Sequence, residues 1–333
     1  MYFIYCIYEI KVPSYDAVNS MQERILKIAV LGAGALGCAI GGTLAEAGNE
    51  VLLINRNPAH VEAINTHGLV MRGAQGERTV RVQAALDAAG QAPVDLLIVL
   101  VKSFHTDSAM QAATHLVGPQ TVVLSLQNGL GHEDILADRV GRDHVLAGKT
   151  YVGGVVLAPG RIIAGTEGKE TLIGELDGTL SPRAQRIAGV FNAAGLATTV
   201  SDNIMGTMWD KLLINVATGA LSSITRLTYG AMYPLPQIAA TAIAAVQEAM
   251  DVARACGVRL SYTDPKGPWL KAAAGLPPDF KTSMLQSLEK GSVTEIDFIN
   301  GAVVRWGQRC GVNTPVNATL VACVKGIEST LPQ

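Results

Sequence analysis

The stretch that most constrains this chain is residues 27–56, KIAVLGAGALGCAIGGTLAEAGNEVLLINR. Lys27–Leu31 is a short apolar run suited to a buried strand, Gly32-Ala33-Gly34-Ala35-Leu36-Gly37 is a G-x-G-x-x-G turn, and Cys38–Ala47 reads as a helix that Gly48 breaks. Val51–Ile54 is a second apolar strand. The unit is therefore strand, glycine turn, helix, strand, the form of a dinucleotide-binding α/β fold. The chain must turn tightly at Gly32, come close to a pyrophosphate without a Cβ at Gly34, and pack helix on strand at Gly37. The amides that open the helix, carried by Ala33, Ala35 and Leu36 with the glycines, then face the phosphates.

The plain alternative is a glycine-rich turn in some other α/β protein. The end of the second strand bears on which dinucleotide is held. An Asp or Glu there would accept from the adenosine ribose hydroxyls, but this chain has Asn55-Arg56-Asn57. A guanidinium pairs with a 2′-phosphate through its fork, so the sequence favours NADP (NADPH) over NAD, against the reading of Arg56 as an ordinary surface arginine.

A chain of 333 residues most naturally makes two domains. Its net charge of −2, from 26 basic and 28 acidic residues, offers no field for nucleic acid or an anionic membrane. Cys6, Cys38, Cys256, Cys310 and Cys323 show neither metal-ligand spacing nor a dense disulfide pattern, so buried thiols in a cytoplasmic protein are expected. Residues 1–20 lack a basic leader and are too short in their apolar part to span a bilayer, and are read as an N-terminal extension, either an overlong start before Met21 or an extra edge strand. No other segment has the apolar length of a transmembrane helix.

Further along, Asp95–Val101 and Thr121–Leu126 read as strands buried on both faces, delivering Lys102 and Asn128 past their carboxyl ends to one crevice. Short extended pieces at 145–147, 150–157, 161–164 and 170–173 predict a small, largely antiparallel extension of the sheet. Pro182–Ala194 is a helix, and Thr198–Val200 closes the dinucleotide-binding domain, assigned to 21–200. Residues 201–333 form a helical substrate domain. Asp202 is expected to cap a long helix on which Lys211, Asn215 and Gly219 share one side, and Ser292-Val293-Thr294-Glu295 has the pattern of a capping box opening a later helix.

Taken in order, GAGALG, Arg56, VKSF, LQNG, WDKLLINV and SMLQSLEKGSVTEIDFING resemble the ketopantoate reductase (2-dehydropantoate 2-reductase) family from about Lys27 to the C-terminus. The resemblance implies a Rossmann-like NADP-binding domain followed by an all-helical domain like that of 6-phosphogluconate dehydrogenases. It implies NADPH-dependent reduction of 2-dehydropantoate to pantoate for pantothenate biosynthesis. Carried over residue by residue, Lys211 is the catalytic lysine, Asn215 a substrate asparagine, Lys102 the lysine of the cofactor–substrate crevice, and Asn128 the asparagine of the NG segment, serving cofactor and substrate. Ser283 and Glu295 match the substrate-binding serine and glutamate, twelve residues apart.

One position departs. The family's best-known members carry a further asparagine where this chain has Gly219, which offers no side-chain hydrogen bond. Either a neighbour and water replace that contact or the pocket takes another 2-oxo acid; in the first case Gly219→Asn is expected to improve use of 2-dehydropantoate through the Michaelis constant.

The chemistry suits these residue types. Hydride addition to a ketone builds negative charge on oxygen, which an ammonium stabilises and then protonates, while a carboxylate accepts from a substrate hydroxyl. Read on pattern alone, Lys211 is a surface lysine, Asn215 a helix-surface amide, Ser283 and Glu295 helix caps, Lys102 a strand end and Asn128 a turn former. No metal-ligand spacing and no G-x-S-x-G elbow is present. The competing functions are reduction of a related 2-oxo acid and, outside enzymology, nucleotide sensing on a retained scaffold. Oligomeric state stays open, a homodimer included.

Overall fold

The computed structural model describes residues 25–332, so the extension at 1–20 and Cys6 lie outside the described residues. The chain opens with β1 (Lys27–Leu31), α1 (Ala35–Glu46), β2 (Glu50–Ile54), α2 (Pro58–His67), β3 (Leu69–Gly73), β4 (Gly76–Val80), β5 (Gln83–Ala85) and β6 (Val94–Val99). It continues through α3 (Thr106–Ala113), β7 (Val117–Ser125), α4 (His132–Val140), β8 (Val145–Thr150), β9 (Gly153–Ala158), β10 (Arg161–Gly165), β11 (Thr171–Gly174), α5 (Pro182–Ala193) and β12 (Thr198–Val200). Eight strands form one sheet in the order β12-β11-β8-β7-β6-β1-β2-β5. From β5 to β8 every pairing is parallel, and the order reverses at β1, which has β2 on one side and β6 on the other. Open parallel sheets bind ligands beyond the strand ends at such a reversal.

The extended pieces after 145 do not form one antiparallel extension. β8 and β11 continue the main sheet, whereas β9 and β10 join β3 and β4 in a separate four-stranded sheet in the order β4-β3-β10-β9. The difference follows from α1, which packs on β2 with one face and on β9 and β10 with the other. Buried on both sides, this helix has small residues where it is closest: a Cβ on Gly41 would stand 2.6 Å from Leu53, and one on Gly42 2.5 Å from Met71.

The remaining helices are α6 (Ile204–Thr225), α7 (Tyr229–Met232), α8 (Pro236–Ala255), α9 (Lys266–Ala273), α10 (Ser283–Glu289), α11 (Asn300–Cys310) and α12 (Pro315–Glu328). They gather around α6, whose Trp209, Leu213, Val216, Ala217 and Ala220 are fully buried. Asp202 does not cap this helix: Asn203 stands at its start without a side-chain cap, and the Asp202 carboxylate instead lies 3.5 Å from Arg259. No helix starts at Ser292 either. Only a short 3-10 turn at Ile296–Phe298 precedes α11, and Thr294 turns its hydroxyl to the buried Glu328 carboxylate at 2.7 Å.

Cysteine chemistry also differs from the sequence reading. Cys256 and Cys310, 54 residues apart, form a disulfide with Cα atoms 5.8 Å apart, tying the end of α8 to the end of α11. Of the remaining described cysteines, Cys38 is a buried thiol and Cys323 an exposed one. Among the described residues no helix is long and apolar enough to cross a membrane, and no cluster of three or more His, Cys, Asp or Glu side chains could hold a metal ion.

Candidate active site

The glycine turn has the shape its spacing demands. Gly32 has φ +103°, and a Cβ there would stand 2.4 Å from the Val101 amide nitrogen just past the end of β6. Only glycine fits. Gly37 packs against the turn itself, its hypothetical Cβ 2.4 Å from the Gly32 carbonyl oxygen, while Gly34 has nothing within 4 Å on that side. The first α-helical bond runs from Cys38 N to Gly34 O at 2.8 Å, leaving the amides of Ala35, Leu36 and Gly37 without a backbone acceptor among the described residues. Open space above a glycine and free amides at a helix start make a cradle for a pyrophosphate.

Ala33 is buried, and its carbonyl accepts from the Asn55 amide at 2.6 Å, which fixes the end of β2 against the turn. Asn57 caps α2 by accepting from His60 N. Between them Arg56 is exposed, and among the described residues no carboxylate lies within 4.0 Å of it. Its charge reaches His105, whose pKa is lowered first by burial and then by Arg56. A guanidinium at the end of β2, near the glycine turn and without a carboxylate partner, fits a dinucleotide bearing a 2′-phosphate.

Across the crevice, Lys211 on α6 donates from Nζ to Asn128 Oδ1 and to the Thr150 carbonyl, both at 2.8 Å. Both acceptors belong to the strand ends of the main sheet, so the helical half delivers the lysine and the sheet half receives it. The Lys211 pKa is lowered to about 8, first by burial and then by the charge of Lys149, with Glu295 working against both. Asn215, one turn on, is half-buried, and its side chain makes no hydrogen bond among the described residues.

Glu295 does not cap its own segment. Its Oε1 accepts from the Ser103 hydroxyl at 2.6 Å and from the Ser103 amide at 3.2 Å, and its Oε2 lies 3.9 Å from Lys102 Nζ. Lys102 is mostly exposed and Glu295 mostly buried, so the lysine stands at the mouth of the crevice and the glutamate within it. Asn128 is tied in twice, since its carbonyl also accepts from His132 Nε2 at 2.9 Å. Lys211, Asn128, Glu295 and Lys102 thus meet in one crevice. Ser283 is exposed at the first turn of α10, and its hydroxyl makes no hydrogen bond to that group; Thr282, not Ser283, caps the helix.

Gly219 is covered rather than open. A Cβ at this position would stand 3.3 Å from Met284 Cε, so a thioether fills the room a side chain here would need.

Sequence reasoning did not single out several residues of this crevice. Ser103 lies within the VKSF motif, and only its distance from Glu295, 192 residues on, reveals its part. His132 is buried, stacks on Phe298 with centroids 4.6 Å apart, and has its pKa lowered chiefly by burial. Thr150 acts through its carbonyl, for which side-chain identity carries no signal. Tyr151 presents its ring to two ammoniums, Lys149 Nζ at 5.3 Å and Lys211 Nζ at 5.8 Å from the centroid.

Comparison with known proteins follows the same division. The family profile described as "Ketopantoate reductase PanE/ApbA" matches residues 28–178, and its C-terminal counterpart matches residues 203–328. The chain is 34% identical over 304 residues to the 2-dehydropantoate 2-reductase of Pyrococcus horikoshii, covering 91% of this chain and 98% of that protein. It is 32% identical to the Archaeoglobus fulgidus 2-dehydropantoate 2-reductase, over 92% and 100%. Among solved structures, a PanE/ApbA family ketopantoate reductase from Ralstonia eutropha JMP134 is similar with a TM-score of 0.83 at 36% identity, over 91% of this chain and 99% of that one. D-mandelate dehydrogenase in a ternary structure with NADH and anilino(oxo)acetate is similar at the same TM-score of 0.83 and 29% identity, over 91% and 99%.

Proposed function

The chain belongs to the ketopantoate reductase family, and from that premise we propose that it reduces the C2 ketone of 2-dehydropantoate to (R)-pantoate with NADPH, a step toward pantothenate. The observation that carries this reading is the pair of hydrogen bonds holding Lys211. An ammonium has three N–H donors, Asn128 and Thr150 take two, and one is left for a ketone oxygen. NADPH supplies the hydride when bound. Lys211 stabilises the charge that develops on the oxygen and then gives up a proton, which its lowered pKa favours near neutral pH.

Glu295 is suited to a substrate hydroxyl in the same way. Ser103 holds Oε1, leaving Oε2 free to accept. Asn215, with no hydrogen-bond partner among the described residues, orients the substrate beside Lys211; Ser283 is assigned to the substrate only through its place in the late motif. On the cofactor side, Gly32 through Gly37 receive the pyrophosphate, Arg56 the 2′-phosphate, and Lys102 with Asn128 the nicotinamide end. Residues 21–200 serve as the dinucleotide-binding domain and 201–333 as the substrate domain. The protein is assigned to the cytoplasm, where NADPH is available. A homodimer is assigned on the apolar edge strand β9, where Val155, Val156 and Leu157 are exposed.

One observation favours a second reading. Met284 over Gly219 replaces a hydrogen-bonding side chain with an apolar one. A pocket altered in this way suits a 2-oxo acid with a less polar tail, and the similarity to D-mandelate dehydrogenase points the same way. Steady-state assays decide between them by comparing NADPH with NADH and 2-dehydropantoate with aryl and branched 2-oxo acids. Preference for 2-dehydropantoate and NADPH, lost in Lys211→Ala, is the expected result. No NADPH oxidation with any of these acids would remove the enzymatic reading.

A further inference from the structure

Lys149 is a second ammonium at the crevice, and beyond its part in lowering the Lys211 pKa the chemistry above gives it no task. It lies on β8 one residue before Thr150, whose carbonyl holds Lys211, and two before Tyr151, whose ring both lysines approach. Lys149 is half-buried, and its pKa is lowered, chiefly by that burial. Among the described residues its Nζ has neither a hydrogen-bond partner nor a carboxylate within 4.0 Å. The two acidic side chains that act on it do so from farther off: Asp210 is engaged by the Ser261 amide at 3.0 Å, and Glu170 is exposed on the neighbouring strand connection. An ammonium partly removed from water and left unpaired is costly unless an anion comes to it.

The substrate class supplies such an anion beside the reacting carbon. In a 2-oxo acid the carboxylate is bonded to the ketone carbon, so a ketone oxygen on Lys211 brings the carboxylate close to the same ring floor. Tyr151 is 44% exposed, so its ring is open to solvent beside the two ammoniums rather than sealed in the core. Ser283, matched to the family's substrate-binding serine, is neutral and exposed, and could offer a carboxylate only a hydrogen bond without charge.

We propose that Lys149 receives the carboxylate of the 2-oxo acid substrate, with the Tyr151 ring as the wall that sets its position relative to Lys211. The assignment rests on the reading of this site as a 2-oxo acid reductase. It makes Lys149 a specificity-determining residue that selects free acids over their esters and amides.

The test is steady-state kinetics of the full chain with NADPH, using 2-dehydropantoate and its methyl ester, in the wild type, Lys149→Gln and Lys149→Arg. Loss of one charge-assisted hydrogen bond predicts a rise in KM for the acid of about tenfold to a hundredfold in Lys149→Gln, with kcat changed by less than about threefold. Lys149→Arg should recover most of that rise, and kcat/KM for the ester, measured at a pH well below the Lys211 pKa of about 8, should be the same in all three proteins. An unchanged KM in Lys149→Gln, or equal losses for acid and ester, overturns the assignment while leaving the reductase reading intact. A wild type inert toward every 2-oxo acid would overturn both.

Discussion

Restoring the family's asparagine at position 219 looks, from sequence, like a repair, and the structure makes it a disruption. Gly219 lies inside α6, and Met284 on α10 covers it, with Cε, Sδ and Cβ at 3.3, 3.8 and 4.0 Å from where a Cβ would stand. Alanine asks the terminal methyl of a flexible thioether to give by a few tenths of an ångström. Against that small displacement, replacing a glycine inside a helix by alanine gains about 1 kcal/mol. Gly219→Ala should therefore be neutral to stabilising by up to about 1 kcal/mol.

Asparagine adds an amide beyond that Cβ, where the thioether already is. Overpacking costs about 1–3 kcal/mol, and a buried amide without partners costs about 1–3 kcal/mol more, so Gly219→Asn should lose about 2–5 kcal/mol after the helix gain. Met284→Ala opens the room the amide needs. In the double variant the two changes should couple favourably by about 1–3 kcal/mol, and only there should the KM for 2-dehydropantoate fall. Urea unfolding followed by tryptophan fluorescence reads the stabilities, and initial rates read KM. If Gly219→Asn alone is as stable as wild type and binds 2-dehydropantoate better, Met284 does not occupy the pocket and this reasoning is wrong.

Three further outcomes follow from the same geometry. The Lys211 pKa is lowered to about 8, and the reductive step needs its protonated form, so kcat/KM should be flat below that pH and fall about tenfold per pH unit above it; Lys211→Ala should cost about 10²–10⁴ in kcat and abolish this limb, and an unchanged profile in the variant would assign the proton to another group. Arg56→Ala should raise KM for NADPH by about tenfold or more while leaving NADH nearly unaffected, and equal effects on both would deny it the 2′-phosphate. Cys256→Ser should lower stability by about 4 kcal/mol, the chain-entropy value for a cross-link spanning 54 residues, and reductant should reproduce the loss in wild type; equal denaturation midpoints with and without reductant would mean the cross-link does not form in solution.

Much of the cofactor half is legible in the sequence because local sterics write it there. Gly32 and Gly37 are needed by backbone atoms a few residues or one strand away, so their spacing alone declares the turn. The capping assignments failed for the opposite reason. Ser292 through Glu295 has the right residue types for a helix start, but the Glu295 carboxylate finds a better partner in Ser103, and Thr294 a better one in Glu328. A local pattern states which hydrogen bonds are available, and tertiary contacts decide which are made. The split of the later strands between two sheets was illegible for a similar reason, since it depends on α1 being covered from both sides. The disulfide could not be read either, because two of five cysteines meet only when the ends of α8 and α11 are brought together.

Several polar contacts that dock the two halves also build the crevice. Lys211 reaches from α6 to Asn128 and Thr150, Glu295 reaches from the helical half to Ser103, and between them Leu130 N donates to the Phe298 carbonyl at 2.9 Å. Gly129 allows that approach: a Cβ there would stand 2.4 Å from the Phe298 carbonyl oxygen. Each bond leaves its reactive group with capacity in reserve, one N–H on Lys211 and one oxygen on Glu295. A substrate that engages both therefore adds bonds without breaking those that hold the halves together. On the proposed mechanism the arrangement before binding is then already the one the chemistry needs, and little free energy of binding is spent on assembling it. Glutamine at Asn128 or alanine at Ser103 would loosen docking and chemistry together, because in this molecule they share the same atoms.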